Sequence, residues 1–138
     1  MLKEYGLAYD PALHSDPINL NRPEELYAAL DRFYALDDPP TAIFIGGDLL
    51  ALEAVAHLGE RGIRVPDDVS IVGSSDLPIG ALTSPKLSTV HIPLAKMAER
   101  ATEMLLGLIE NPGRVFADEW FTTHLIVRGS TGTPRVRV

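Results

Sequence analysis

The stretch that decides the fold is Thr41–Asp48, which reads TAIFIGGD. Its first part is an uncharged, mostly apolar run, and such runs are typical of strands that are buried on both faces of a parallel sheet. Two glycines follow at once, and Asp48 is suited to cap the helix predicted over residues 48–62, which Gly62 would end. A buried strand that leads through a tight turn into a helix predicts an α/β protein.

A second predicted strand completes a βαβ unit. Residues 68–73 read DVSIVG and form another run of the buried-strand type. From the first strand to the end of the second the chain covers about 33 residues, which is the usual length of such a unit. Its two strands are expected to lie parallel, joined by a right-handed crossover. Residues 41–45 and 68–73 should therefore end at the same edge of one sheet.

The remaining elements follow from apolar periods and from chain breakers. Helical spacing of apolar residues predicts helices over 21–36 and 93–110, and Asn21 and Glu24 are placed to cap the first of them. Prolines and glycines separate these helices from further segments. The other expectations are a helix end at 1–6, a short strand near 12–15, a strand over 87–92, strands near 115–119 and 121–127, and a frayed tail over 129–138.

The composition limits the classes of function. The length of 138 residues favours one domain, and no run approaches the ~18 apolar residues that cross a membrane. Without cysteine, the chain has neither a disulfide framework nor a thiolate metal site. Its 12 basic residues are scattered among 19 acidic ones, which argues against DNA binding by these residues. The first residues, MLKE, are too short and polar for a secretory signal, which predicts a cytoplasmic protein.

Two segments that follow the predicted strands are candidates for ligand binding. They are Gly46-Gly47-Asp48 and Gly73-Ser74-Ser75-Asp76. Ligands of open parallel sheets bind beyond the carboxyl ends of the strands, and carboxylates, hydroxyls and exposed amides can hydrogen-bond a sugar or polyol. The candidate contacts are Gly47, Asp48, Ser74, Ser75 and Asp76. Two structural alternatives stay open, because Asp48 could be a plain helix cap and the serine segment an ordinary turn.

No catalytic or cofactor motif is recognisable in the sequence. The serines lack the Gly-x-Ser-x-Gly elbow, and neither Gly-x-Gly-x-x-Gly nor a phosphate-binding loop with its lysine is present. Asp10, His14 and Asp16 lie close together, but nothing fixes them on a rigid element, so a metal site is not expected. We therefore predict that the protein is not an enzyme and needs no cofactor or metal.

Two helix faces lead to specific expectations. On the helix over 48–62, a polar stripe that includes Glu53 and His57 is expected to face solvent. On the helix over 93–110, an apolar stripe lies at helical spacing, and left bare it would be a sticky patch. We expect this stripe to fold back onto the sheet or to be buried against another copy of the chain. The stripe comprises Leu94, Met97, Ala98, Ala101, Leu105 and Leu108.

Four sequence blocks, taken in order and spacing, resemble a known family. They are residues 40–48 with the later Gly62, the stretch VPDDVSIVG over 65–73, the stretch LSTV over 87–90 with Pro93, and LIVRGST over 125–131. Over residues 24–131 they are similar to the C-terminal portion of regulators of the lactose-repressor/galactose-repressor family. The stretch over 65–73 is the most specific of the four.

The resemblance implies a periplasmic-binding-protein-like fold of type I, in which two lobes enclose an effector. Residues 1–86 would form a Rossmann-like, parallel-sheet C-terminal lobe. Residues 87–128 would supply the hinge crossover strands and a helix of the N-terminal lobe, and 129–138 the tail. The helix-turn-helix head would lie outside this chain, so DNA would be contacted only through a domain absent here. Family members also form homodimers, largely through the helix matching 48–62 and the segment after Asp76.

The resemblance also implies effector contacts. Family members place them at the residue before the aspartate that matches Asp48, and in a Gly-Phe-Asp-Asp turn that matches residues 73–76. Here that turn is Gly-Ser-Ser-Asp, so Ser75 replaces a carboxylate, which argues against ordinary monosaccharide recognition. The loop over 14–22 lacks the aromatic residue that often adds a contact, and Asn21 is included among the candidates.

Together these features predict a segment that senses a small polar effector, such as a sugar, and dimerises within a transcription regulator. A solute-binding protein of the same fold that serves transport is one alternative. A dimerisation module without ligand function is another, because Ser75 weakens the expected effector site. None of these functions involves a membrane.

Overall fold

The computed structural model describes residues 2–134, with side chains from residue 4 onward. This part of the chain forms helices and strands in the alternating order expected of an α/β protein. The helices are α1 (Pro23–Tyr34), α2 (Asp48–Glu60) and α3 (Leu94–Glu110). The strands are β1 (Ala42–Phe44), β2 (Ser70–Ser75), β3 (Ser88–His91) and β4 (His124–Ile126), and short 3-10 helices cover Leu2–Tyr5, Pro11–Leu13 and Pro78–Ala81.

These strands form one mixed sheet in the order β1-β2-β3-β4. β1 pairs with β2 in parallel, β2 pairs with β3 in parallel, and β4 pairs with β3 in the antiparallel direction. The predicted βαβ unit is confirmed, with α2 as its crossover helix. The carboxyl ends of β1 and β2 therefore meet at one edge of the sheet.

The hydrophobic core lies between this sheet and the packed pair α1 and α2. Leu30 and Leu58 come from the two helices, Ile71 from β2 and Leu87 from the position just before β3, and all four side chains are fully buried. Burial of each large apolar side chain stabilises the fold by about 1.5–3 kcal/mol. The core thus fixes the strand ends that carry the candidate site.

The segment after β4 returns to this core at Ser130. The Ser130 hydroxyl accepts a hydrogen bond from the Ser88 amide and donates one to the carbonyl of Ile71, both at 2.7 Å. The Ser130 carbonyl in turn accepts from the Ile71 amide at 2.8 Å. The start of the predicted tail is therefore anchored rather than frayed, whereas its residues 135–138 lie outside the described part.

Near the amino end, the strand expected near 12–15 does not form. The Asp10 carboxylate accepts a hydrogen bond from the Ala12 amide at 2.9 Å and so caps the 3-10 helix Pro11–Leu13. This local side-chain bond competes with strand geometry, as is common for aspartate in turns. The helix end expected at 1–6 is a 3-10 turn, and Gly6 follows it with a φ of 69°.

The start of α1 also differs from the expectation, because Asn21 does not cap it. The helix begins at Pro23, and no side chain caps its first turn. The Asn21 amide instead donates to the side-chain carbonyl of Asn19 at 2.9 Å. Glu25, rather than Glu24, reaches back and accepts from the Arg22 guanidinium at 2.7 Å.

Of the two strands expected after α3, only the second forms, as β4. Residues 115–119 follow the helix instead of joining the sheet. The Arg114 guanidinium lies 4.6 Å from the centre of the Phe116 ring, and Glu119 accepts from Arg100 of α3. These side chains hold the segment against α3, away from the sheet edge.

The polar stripe of α2 does not face solvent at His57, which is only 7% exposed. Its ring stacks on the Tyr27 ring of α1, with the centroids 4.2 Å apart. The His57 Nε2 atom lies 3.0 Å from an Asp31 carboxylate oxygen, and the Arg61 guanidinium also donates to Asp31. The sequence places His57 outside because α2 alone does not reveal that α1 covers this side chain.

The apolar stripe of α3 does not fold back onto the sheet. Leu105 is 58% exposed, and Leu94, Met97 and Leu108 are also open to solvent. Within the described residues, α3 buries only Gly107, which faces Arg114 and Phe116. One of the two expected ways to cover this stripe is therefore wrong, and burial against another copy stays a prediction.

The core assignment predicts a large loss of stability when Leu58 is shortened. We expect Leu58→Ala to lower the free energy of unfolding by about 2–5 kcal/mol, because it removes buried methyl groups and leaves a cavity. Urea unfolding followed by circular dichroism measures this change. The matched control is Leu20→Ala at an exposed position, which should cost less than about 0.5 kcal/mol. Equal losses in both variants would contradict the core described here.

Candidate functional site

The candidate site lies where β1 and β2 end side by side. Gly46 and Gly47 follow β1, and Ser74 and Ser75 are the last residues of β2. The Ile45 amide donates to the carbonyl of Val72 at 2.9 Å and so continues the parallel pairing toward this edge. The expected juxtaposition of the two segments is present.

Asp48 is buried at this edge, with 1% of its surface exposed. It is the first residue of α2, behind Gly47, whose φ is 119°. One carboxylate oxygen accepts from the Leu77 amide and the other from the Thr89 hydroxyl, each at 2.6 Å. Asp48 does not act as the expected helix cap, because both oxygens bond to the β2–β3 side of the site.

The glycine at 73 explains how the Asp48 carboxylate fits. A methyl group at this position would overlap an Asp48 oxygen and crowd Leu87. The absence of a side chain therefore leaves room for the carboxylate beside β2. A neutral amide and a hydroxyl are its donors, and the amino end of α2 adds a favourable dipole for a negative charge.

Two strained residues lie where β2 ends and the following turn begins. Ser75 has a φ of 118° and Asp76 a φ of 58°, and positive values are uncommon outside glycine. Such conformations persist where neighbouring contacts enforce them. Here the bond from Leu77 to Asp48 fixes the turn on one side, and the Asp76 amide lies 3.4 Å from the Thr89 hydroxyl on the other.

The Asp76 carboxylate joins the turn to β3 and to the segment that follows β4. One oxygen accepts from the Arg128 guanidinium at 2.6 Å, and the other lies 3.0 Å from Nδ1 of His91. Arg128 also donates to the Leu87 carbonyl at 2.8 Å. The hydrogen bond from Arg128 lowers the pKa of the Asp76 carboxyl below its usual value, and His91 acts in the same direction, whereas partial burial opposes them.

A row of polar residues continues from this turn across the sheet edge. Ser75 is opposite His91 in the β2–β3 register, and His91 is opposite His124 in the β3–β4 register. The two imidazole rings lie 4.9 Å apart. The contacts predicted from the sequence include neither histidine and neither Thr89 nor Arg128, since nothing local to these residues indicates their partners.

The structure gathers five of the six predicted contacts and leaves one apart. Gly47, Asp48, Ser74, Ser75 and Asp76 share the edge that β1 and β2 form. Asn21 is exposed in the turn before α1, and none of the hydrogen bonds described links it to the other five. Its role as a ligand contact stays a prediction.

A cavity of about 650 Å³ lies elsewhere, along the outer side of β1. The loop over 13–18, α1 and β1 line it, and none of the six predicted contacts does. Over residues 2–134, no cluster of three histidine or acidic side chains could hold a metal ion. Within the same range, none of the helices is both long and apolar enough to cross a membrane.

Comparison with known proteins identifies the family. The periplasmic binding protein-like domain matches residues 2–131. The probable HTH-type transcriptional repressor ExuR of Bacillus subtilis is 36% identical over 107 residues, which are 78% of this chain and 32% of the repressor. The chain thus spans about a third of that relative's length.

Solved structures agree with this match. A LacI family transcriptional regulator from Mycobacterium smegmatis superimposes with a TM-score of 0.80 and 30% identity, over 94% of this chain and 48% of the regulator. The complex of the transcriptional regulator CelR with cellobiose gives a TM-score of 0.77 and 28% identity, over 94% and 39% of the two chains. These proteins are transcription regulators and not enzymes. The chain belongs to the periplasmic-binding-protein-like domain family and, within it, to the lactose-repressor/galactose-repressor group of transcription regulators.

Proposed function

We propose that these residues form the effector-sensing and dimerisation segment of a transcription regulator, with a sugar or a related small polar metabolite as the effector. The observation that carries the proposal is the shared edge of β1 and β2. At this edge Gly47 follows the end of β1, and Ser75 is the last residue of β2. The cellobiose complex of CelR supports a sugar as the class of ligand.

Within this edge, the residues divide into two roles. Gly47 and Ser74 offer backbone amides, and Ser75 offers a hydroxyl, to hydrogen-bond the effector. Asp48 and Asp76 act mainly as positioning residues, because each of their carboxylates already bonds to two protein groups. Asn21 is kept as a further candidate contact from the loop before α1.

We also propose that residues 1–86 belong to one lobe, residues 87–128 to the crossover and the second lobe, and residues 129–138 to the tail. The core residues of the described chain lie between Leu26 and Leu87, which supports the first boundary. The chain leaves this core through β3, passes through the exposed α3, and returns through β4 to Ser130. A pair of strands that crosses between two lobes has to leave the core of one lobe and return to it in this way.

Effector binding would then act through Asp76. Its bonds to His91 and Arg128 join the turn that lines the site to the two proposed crossover strands. A ligand that favours one geometry of this turn would favour one orientation of the lobes. DNA would be contacted by a segment outside these residues, whose net charge of −7 makes them a poor surface for phosphates. A cytoplasmic location stays a prediction.

A homodimer is the proposed assembly. Three large apolar side chains are exposed on the start of α2 and on the segment after Asp76, namely Leu49, Ile79 and Leu82, the last at 84%. The bond from Leu77 to Asp48 holds these two segments together. Exposed apolar patches of this kind mark interaction surfaces.

A dimerisation module without ligand function is the second candidate. Ser75 provides one hydroxyl where a carboxylate would accept two hydrogen bonds, and the oxygens of Asp48 and Asp76 are already engaged. A transport protein of the same fold is less favoured, because the similar proteins are transcriptional repressors. The cellobiose titration described next distinguishes an effector-sensing segment from a dimerisation module without ligand function.

Cellobiose titration followed by amide chemical shifts tests the effector site. We expect weak binding, with the largest shifts at residues 46–49 and 73–77, and we expect Ser75→Ala to weaken it about fivefold through loss of one hydrogen bond. Ser84→Ala, at an exposed position, should leave the affinity unchanged. Shifts confined to other residues would reject the site, and no shifts with any of cellobiose, ribose or glucose would favour the module without ligand function.

Sedimentation tests the dimer surface. We expect Leu82→Glu to shift the protein toward monomer, because a charge would be buried at the interface. Leu105→Glu, on the exposed face of α3, is the matched control and should leave the dimer intact. A wild-type monomer at high concentration, or dissociation only in the α3 variant, would contradict this surface.

The Asp76 bonds lead to a pH prediction. Because the pKa of Asp76 is lowered on folding, its contribution to stability is present above the ordinary carboxyl pKa of about 3.9 and is lost as the pH falls through the lower folded value. Asp76→Asn should therefore destabilise the protein at pH 7 by roughly 1–3 kcal/mol, and less in acid. Asp37→Asn, at an exposed position, is the control. A difference that stays constant from pH 7 to pH 3 would argue against the ion pair.

A further inference from the structure

Two histidines extend the candidate site beyond β2. His91 ends β3 and lies opposite Ser75 in the register, and His124 begins β4 and lies opposite His91. Side chains of directly opposed residues share one face of a sheet, and here the two imidazole rings are 4.9 Å apart. The carboxyl end of β3 therefore places a pair of histidines next to the last residue of β2.

The ring nitrogens of this pair are largely available to a ligand. The Asp76 carboxylate lies 3.0 Å from Nδ1 of His91 and, as an acceptor, holds a proton on that nitrogen. Among the hydrogen bonds of the described residues, none engages Nε2 of His91 or either ring nitrogen of His124. The His91 side chain is 35% exposed and His124 is also open to solvent, so a small molecule at this edge can reach both rings.

The carboxylates of the edge leave few acceptors for a neutral sugar. Each oxygen of Asp48 and each oxygen of Asp76 already contacts a protein donor, and Asp48 is only 1% exposed. Sugar hydroxyls need acceptors as well as donors, whereas an oxyanion only accepts. The proposed donors at this edge are the Gly47 amide, the Ser75 hydroxyl and the imidazoles in their protonated form. This set suits an oxyanion better than a neutral hydroxyl.

We propose that the effector carries an oxyanion, either a carboxylate or a phosphate, which His91 and His124 bind at the edge of the site. This inference rests on the effector-sensing function proposed above and names the chemical class of the ligand. Hydrogen bonds between an imidazolium and an oxyanion are charge-assisted and about twice as strong as those between neutral groups. The polyol part of the effector lies toward Gly47 and Ser75.

The charges around the pair couple anion binding to protonation. Asp48 and Asp76 carry two negative charges and Arg128 one positive charge, so with neutral imidazoles this edge has one net negative charge. Among the described contacts, Asp76 is the one charged group that touches either ring. Protonation of His91 and His124 reverses the net charge and turns Nε2 of His91 from an acceptor into a donor. Because histidine ordinarily changes its charge between about pH 5 and 8, the anion should bind more tightly as the pH falls.

Three probes that share one sugar ring test the inference. Glucose, glucuronate and glucose 6-phosphate differ only at carbon 6, which bears a hydroxyl, a carboxylate or a phosphate. In titrations followed by chemical shifts at about pH 6, we expect at least one anion to bind roughly fivefold more tightly than glucose. The additional shifts should be at the ring resonances of His91 and His124. The tighter of the two anions distinguishes a carboxylate from a phosphate.

The pH dependence provides a second readout. Glucuronate is the suitable probe, because its carboxylate stays ionised at and above about pH 5.5. Its affinity should rise up to about tenfold between pH 7.5 and pH 5.5, since binding is linked to the uptake of a proton by the pair. The affinity for glucose should change little over the same interval, because no oxyanion is present to favour the charged rings.

Variants at His124 locate the oxyanion. His124→Gln removes the titratable charge and should lower the ratio of glucuronate to glucose affinity about fivefold. His124→Lys keeps a positive charge at every pH in this range, so it should retain tight glucuronate binding at pH 7.5 and reduce the pH dependence. His14→Gln is the matched control, because His14 is an exposed histidine in the amino-terminal loop, and it should change neither quantity.

Two kinds of result would overturn the inference. Amide shifts at 46–49 with cellobiose or glucose, without any preference for the two anions, would overturn it while the proposed effector site stays in place. Equal changes in the His14 and His124 variants would do the same. Absence of shifts with every sugar and with both anions would overturn the inference and the proposed effector site together.

Discussion

The buried Asp48 carboxylate is the interaction on which the candidate site depends. Burial of a charged group is costly unless hydrogen bonds compensate for it, and here the Leu77 amide, the Thr89 hydroxyl and the amino end of α2 supply that compensation. The carboxylate thereby joins α2, the turn after β2, and β3. Residue 73 has to be glycine to make room for it, and the positive φ values of Ser75 and Asp76 persist because this bond holds the next residue in place.

The parts of the fold that depend on local pattern could be predicted from the sequence. The apolar run at 41–45, the glycines after it and the second run at 68–73 are enough to predict β1, α2, β2 and their parallel pairing. The partners of the site could not be predicted, because they are distant along the chain: Thr89 lies 41 residues after Asp48, and Arg128 lies 52 residues after Asp76. The burial of His57 was missed for the same reason, since it depends on Tyr27 of another helix.

Two surfaces of the described chain lack the packing that their residues suit. The apolar stripe of α3 is exposed around Leu105, and the outer edge of β1 faces an empty apolar groove. Parallel sheets are ordinarily covered on both faces, and exposed apolar patches are characteristic of interaction surfaces. The similar regulators are two to three times as long as the part that matches this chain.

Amide hydrogen exchange at Leu77 tests the central claim most directly. A bond to a buried carboxylate should make this amide exchange slowly, although it lies in an irregular turn. In Asp48→Asn, where the side chain keeps one acceptor oxygen for two donors, exchange at Leu77 should accelerate while the amides of α1 stay protected. Fast exchange at Leu77 in the wild type, or unchanged exchange in the variant, would contradict the role assigned to Asp48.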